Sequence, residues 1–176
     1  MKITTQIIII IFIAVFVSTV AVNCLSSSST NEKAKIVTDR VLVEKALRRL
    51  TLFQNGKPIK TYKIVLGKNP VGPKVQQGDG RTPEGIYFVD EKKSKSRFHL
   101  ALHISYPNAA DKARAESLGV PPGGDILIHG LRNGLGWLGP LHRLLDWTQG
   151  CIAVTNAEIE EIWKAVPNET VVEIVP

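Results

Sequence analysis

Residues 125–156 read DILIHGLRNGLGWLGPLHRLLDWTQGCIAVTN. An apolar run, Ile126–Leu127–Ile128, ends on His129 and Gly130. Further on, Thr148–Gln149–Gly150–Cys151 brings a thiol to the start of a second apolar run, Ile152–Ala153–Val154. Short apolar runs bounded by glycine read as buried strands. One strand ends at an imidazole and the other begins at a thiol. That pattern predicts a Cys–His pair assembled at the edge of a sheet.

The chemistry explains why these residue types belong together. A thiol attacks as thiolate, and an ordinary cysteine is mostly protonated at neutral pH. A neighbouring imidazole takes that proton and later returns it to a leaving amine. Acyl transfer also needs donors for the oxyanion, and backbone N–H groups at Gly150 and Cys151 are the expected source. A cysteine between apolar residues is most often an inert core residue. Cys151 is the only cysteine after Cys24, so an exported domain of this sequence has no internal disulfide to make. A Cys24–Cys151 bridge would have to join the leader to a core strand.

These residues resemble the active-site segment of the L,D-transpeptidase catalytic domain family (YkuD-type). That family shows a His-Gly, a spacer, then Ser/Thr-His-Gly-Cys, a hydrophobic residue, and Asn or Arg. On this resemblance His129 matches the base, Thr148 the Ser/Thr, Gly150 the glycine and Cys151 the nucleophile. The carbonyl of Gly130 is then the partner of the second ring nitrogen, with no acidic third member. The resemblance runs from about Val41 to Pro176, and it implies an α+β, mostly β fold, a sandwich or barrel with a few short helices. Gln149 stands where most members have a second histidine, and Ala153 where most have Asn or Arg. The segment W-T-x-G-C-I-A-V-T-N is similar to a YafK-like branch associated with hydrolysing a peptidoglycan cross-link.

The implied activity is a cell-wall cysteine enzyme that forms a thioester on a peptidoglycan stem peptide and passes it to an amine. A hydrolytic member, cutting stem-peptide or protein cross-links, is the first alternative. A wall-binding module with a dead site is the second. The implied partners are stem peptides and, for the hydrolytic reading, a wall-attached protein. No cofactor is required by this chemistry.

Outward from the motif, Leu131–Trp147 separates the two reactive residues. Leu138, Leu141 and Leu145 have helical spacing, which predicts a short helix over Gly139–Asp146 with an apolar face. His142 falls beside that face. It either compensates for the histidine missing at Gln149 or caps the packing. Trp137 and Trp147 are candidates for lining a groove, although core packing is the commoner fate of such rings.

Towards the N-terminus, Val41–Val43, Arg49–Gln54, Ile59–Val65, Ile86–Asp90 and Phe98–Ile104 read as strands. Asn55–Gly56 is a hairpin turn. Gly67–Gly80 is a long loop, and Arg81–Thr82–Pro83–Glu84–Gly85 leads into the next strand. Similar T-P-x-G steps lie near the substrate groove in the resembled family, which makes Arg81 a groove candidate. A plain loop-to-strand corner explains it equally well. Lys92–Arg97 reads as a solvated charged connection. His99 and His103 share a strand face, but no ligand set accompanies them, so no metal site is expected. Ala109–Leu118 reads as a short helix closed by Gly119 and Pro121. Towards the C-terminus, Thr155–Glu158 is a capping box, Ile159, Ile162, Trp163 and Val166 form one stripe, and Val171–Val175 is a last strand.

Length and composition fit one domain, at 40–176, behind a leader at 1–25 and a polar linker at 26–39. Lys2 precedes the apolar run Ile7–Val22, which reads as a signal peptide or membrane anchor. Cleavage, retention and lipidation at Cys24 all stay open. Each places the domain outside the inner membrane, in the periplasm or on that membrane's outer face, and an uncleaved leader adds a membrane contact. The net charge of +6 suits anionic wall polymers or simple solvation. Nucleic acid is not an expected partner, because no recognition motif accompanies the charge.

Overall fold

The structure is a computed structural model, and it describes residues 37–176. The leader and the linker up to residue 36 lie outside the described residues, as does Cys24. The described chain is mostly sheet. Strands β1 (Arg40–Glu44), β2 (Arg49–Gln54) and β3 (Lys57–Lys63) form an antiparallel meander. Asn55 and Gly56 turn the β2–β3 hairpin with φ of 52° and 72°. Both central residues are thus in the left-handed region that a two-residue turn of this twist demands.

Next come β4 (Gly85–Ser96), β5 (His99–Ile104), α1 (Ala109–Ser117), β6 (Leu127–His129), β7 (Ile152–Ala153), α2 (Asn156–Ala165) and β8 (Val171–Val175). The strands form one sheet in the order β3-β2-β1-β8-β4-β5-β6-β7. β8 is central, parallel to β1 and antiparallel to β4. The two ends of that order then meet. Val65, just past β3, exchanges backbone hydrogen bonds with Ala153 of β7, at 2.9 and 2.8 Å. The sheet therefore curls into a barrel, which pairs β7 on its outer side as well.

Alternation fills the interior. Val41, Val43, Leu50, Leu52, Tyr87, Val89, Val172 and Ile174 are essentially inaccessible and pack together. Helix α2 closes the core with Ile159 and Ile162. It starts on a capping box in which Thr155 and Glu158 satisfy each other's backbone N–H groups.

Two expectations change. Lys92–Arg97 is not a turn: β4 runs on to Ser96, paired with β5 through two register shifts. Those irregularities hide the alternation that would have marked a strand. The Lys92 ammonium lies 4.2 Å above the Trp163 ring and donates to the carbonyl of Val166 at 3.0 Å. The strand's charge thereby serves the end of α2. The expected apolar helix at Gly139–Asp146 is a 3-10 segment at Gly136–Leu144, broken at Gly139 (φ 46°, ψ −131°) and followed by Pro140. Its leucines are not a core stripe: Leu141 and Leu145 are 62% and 75% exposed.

The loop after β3 is held from inside. The buried Lys45 ammonium donates to Gly72 O (2.6 Å), Thr82 O (3.0 Å) and Glu84 Oε1 (2.7 Å). Lys74, also buried, pairs with Asp79 at 2.8 Å. These ties hold the backbone of residues 67–84 beside the residues that precede Cys151.

Candidate functional site

β6 and β7 run parallel, with Ile128 opposite Ile152 and His129 opposite Ala153. One step back in that register sets Cys151 level with Leu127. Side chains two apart on a strand share a face, so Cys151 and His129 face the same side. One strand across and two residues along, their Cα atoms are about 8 Å apart. Both residues line a single cavity of about 850 Å³.

His129 is 1% exposed. Its ring is tilted against Phe98, with centroids 4.3 Å apart, and edge-on to Trp147 at 5.9 Å. Nδ1 lies 2.6 Å from the Gly130 carbonyl oxygen. A carbonyl only accepts, so Nδ1 carries the proton and Nε2 is left as the basic nitrogen. Burial pulls the imidazole down to about 4; the Gly130 carbonyl opposes this, and His142 adds to it. The ring is neutral at physiological pH.

Cys151 is partly exposed, and its sulfur is 3.5 Å from the Asp125 carbonyl oxygen, towards which the thiol points. Burial raises the thiol above its ordinary value and the Asp125 carboxylate raises it further, against opposing pulls from the Leu127 backbone and Lys74. The resting pair is therefore a thiol and a neutral imidazole, not an ion pair.

The Thr148–Cys151 turn is self-contained. Thr148 Oγ1 donates to Cys151 O at 2.7 Å and accepts from the Gly150 N–H at 3.1 Å. This is a threonine turn, and it overturns one expectation. The Gly150 N–H is already engaged, so it is not an idle oxyanion donor. Gly150 itself is required by space. Its φ is 127°, and a Cβ there would lie 2.5 Å from the Arg81 carbonyl oxygen.

A family model for the L,D-transpeptidase catalytic domain (YkuD) matches residues 38–174. The chain belongs to this L,D-transpeptidase family. YafK of Escherichia coli (strain K12) is 34% identical over 111 residues, 61% of this chain and 37% of that protein. Among solved structures, the helical cell shape determining protein Pgp2 of Campylobacter jejuni aligns with a TM-score of 0.58 at 28% identity, covering 80% of this chain and 50% of that one. Bd1075 of Bdellovibrio bacteriovorus gives 0.56 at 30% identity, covering 82% and 50%. The chain thus spans half or less of the length of these relatives. An Enterococcus faecium L,D-transpeptidase shares the fold at a TM-score of 0.51 and 16% identity, covering 80% and 50%.

Within this L,D-transpeptidase domain, Cys151, His129, Thr148, Gln149, His142 and Trp147 all line the cavity. Gly130 contributes its carbonyl to His129, and it has no room for a side chain. A Cβ there would meet Asn156 Oδ1 at 2.8 Å and Ile159 Cγ2 at 2.9 Å. Arg81 acts through its backbone beside Gly150, while its guanidinium reaches back to Pro73 O at 3.5 Å. Trp137 is 75% exposed and is not part of the cavity lining. His99 and His103 pair with separate carboxylates, Glu160 at 2.8 Å and Asp90 at 2.5 Å.

Sequence reasoning missed three contributors. Phe98 supports the His129 ring from the β4–β5 connection. Asp125, at φ 52°, turns its carbonyl onto the thiol. The cavity wall carries Lys95, Arg97 and Arg132, together with Lys93, which pairs with Glu91 at 3.4 Å, and one lining carboxylate, Asp125. The L-I-H-G run gave no hint of these, because they are assembled from β4, the β4–β5 connection and the loops on either side of β6. Among the described residues, no helix is long and apolar enough to cross a membrane.

Proposed function

We propose that this domain is an exported cell-wall enzyme whose thiol takes the acyl group of a peptidoglycan stem peptide. The observation that carries the reading is the shared cavity of Cys151 and His129, with the imidazole held as the Nδ1–H tautomer by Gly130. On this reading the Cys151 S–H proton passes to His129 Nε2 as sulfur bonds to the carbonyl carbon. The C–N bond to the leaving amine then breaks, and His129 returns the proton to that amine. The thioester passes to a second amine, or to water, whose proton leaves through the same imidazole. Fixing both groups on adjacent parallel strands supplies the orientation that such a transfer rewards.

Hydrolysis is the second reading. It is favoured by Gln149, which stands in the cavity lining where most of the family has histidine, and by Ala153, which is fully buried between β6 and Val65. The relatives extend well beyond the matched region, so the acceptor belongs to the same proposal. The experiment is incubation of the protein with muropeptides, with mass spectrometry of both protein and products. A thioester adduct on Cys151 is expected. New cross-links mark transfer, and shortened or released peptides mark hydrolysis. Full turnover by Cys151→Ala would end both readings.

A further inference from the structure

Next to His129 the cavity is walled by two segments stitched together. The peptide that joins Arg132 to Asn133 donates its N–H to the carbonyl of Arg97 at 2.9 Å. The Asn133 side chain then ties down the β4–β5 connection. Its Oδ1 accepts from the His99 N–H and its Nδ2 donates to Ser96 O, both at 3.0 Å. Gly130, one residue after the imidazole, donates to Leu100 O at 3.2 Å. Arg97 and Arg132 are thus carried on neighbouring, fixed stretches of backbone, and both line the cavity. Both are exposed, so a ligand in the cavity can reach them.

Neither guanidinium has an ion-pair or hydrogen-bond partner among the described residues. The one carboxylate in the lining, Asp125, faces His103 at 3.8 Å instead. Like charges on adjacent strands and their connections oppose stability, and local costs of that kind gather at functional sites. The proposed reaction says what comes to this part of the cavity. Phe98, next to Arg97, packs on the His129 ring with centroids 4.3 Å apart. His129 Nε2 returns a proton to the leaving amine, so that nitrogen comes within about 3 Å of the ring. In an α-amino acid the carboxyl carbon is two bonds from the nitrogen, about 2.5 Å away. The carboxylate of a terminal leaving residue therefore falls within about 6 Å of the imidazole, in the region that Phe98 and Arg97 border. A leaving residue inside a longer peptide brings an uncharged amide to the same place.

We propose that Arg97 and Arg132 are specificity-determining residues that hold the free α-carboxylate of the leaving amino acid; the proposal rests on the stem-peptide reading above. The preferred donor is then a stem whose scissile bond releases its carboxyl-terminal residue. Only that residue offers a carboxylate beside the leaving nitrogen. Guanidinium groups suit the task, because their planar forks match the two oxygens of a carboxylate and stay charged at every working pH. The Asn133 ties keep the two arginine-bearing segments in register with His129, so recognition of the carboxylate also sets the leaving nitrogen against the imidazole.

The test uses the full chain and a diaminopimelate-containing tetrapeptide stem, with mass spectrometry of the released terminal residue. The second probe is the same peptide with its terminal carboxyl alone amidated. Amidation is expected to lower the kcat/KM of the wild type by about ten- to a hundredfold. Arg97→Gln combined with Arg132→Gln should lower kcat/KM on the free acid by a similar factor and leave the amide nearly unchanged, so the variant no longer tells the two peptides apart. If the double variant does not fold, each single variant is expected to lose part of that discrimination. A wild-type ratio of acid to amide near one, or a ratio undiminished in the variants, overturns this inference and leaves the stem-peptide reading standing. Absence of both turnover and a Cys151 thioester with either peptide overturns both.

Discussion

Acidification offers a direct measure of how deeply the imidazole of His129 is committed to being neutral. The folded ring titrates at about 4, against 6.5 when exposed. Unfolding restores the ordinary value. Between those two values the unfolded chain binds a proton that the folded chain refuses, so stability falls as pH drops through the window. The contribution is fully present above 6.5 and lost as pH falls towards 4. At about 1.4 kcal/mol per unit, the gap is worth about 3 kcal/mol. The perturbation is His129→Gln, which keeps a polar side chain but cannot titrate. Urea unfolding of both proteins at pH 7 and pH 4 gives two losses of stability. Carboxylates titrate in both and cancel, so the wild type should lose about 3 kcal/mol more than the variant. Equal losses, within about 1 kcal/mol, would show that the ring is solvated, and the account of the pair as neutral partners would fall.

Three further outcomes follow from the geometry. Gly150→Ala places a Cβ 2.5 Å from the Arg81 carbonyl at a φ of 127°; it should cost about 3 kcal/mol or more and lower the melting temperature by roughly 10 °C. A melt unchanged to within about 2 °C would mean the backbone yields there. Iodoacetamide should label Cys151 at a rate that climbs with pH through a midpoint above that of an ordinary thiol, since burial raises it; a reactive plateau below about pH 7 would reveal an ion pair instead. Thr155→Ala removes the hydroxyl that caps α2 and should cost about 1 kcal/mol in urea unfolding, with no change if the cap is replaced by water.

Much of the fold was legible because local rules and the tertiary structure agree. The Asn55–Gly56 turn, the Thr155–Glu158 box and the final strand each rest on neighbours in the chain. The mostly β class and the family followed from the segment around Cys151. What escaped was set by contacts distant in sequence. The extension of β4 through Lys92 depends on register shifts against β5, so its charges looked like a turn. The helix expected over Gly139–Asp146 failed because leucine spacing says nothing about which face a kinked segment turns inward. The Gly150 N–H looked free on paper, but the Thr148 hydroxyl, two residues back, claims it. Arg81 was singled out as a groove candidate, and the part of it that meets Gly150 is its carbonyl. Closure of the barrel through Val65 and Ala153 joins segments no motif connects, and it fixes the strand that follows the thiol.

Burial works in opposite directions on the two reactive groups, and the consequence bears on the proposed chemistry. Removing water lowers the pKa of an imidazole and raises that of a thiol, because each loses solvation in its charged form. The site therefore holds both neutral at rest, and proton transfer between them alone creates two charges in a poorly solvated cavity. On the proposed reading, that separation becomes favourable only when sulfur bonds to a carbonyl carbon and the negative charge moves to an oxygen that backbone donors can hold. Since Thr148 already occupies the Gly150 N–H, the oxyanion must draw on other donors around Cys151. On the same reading, the neutral pair reacts slowly with stray electrophiles at neutral pH until a carbonyl is held beside the sulfur. The cationic side chains of the cavity wall, on that reading, favour peptides that carry negative charge.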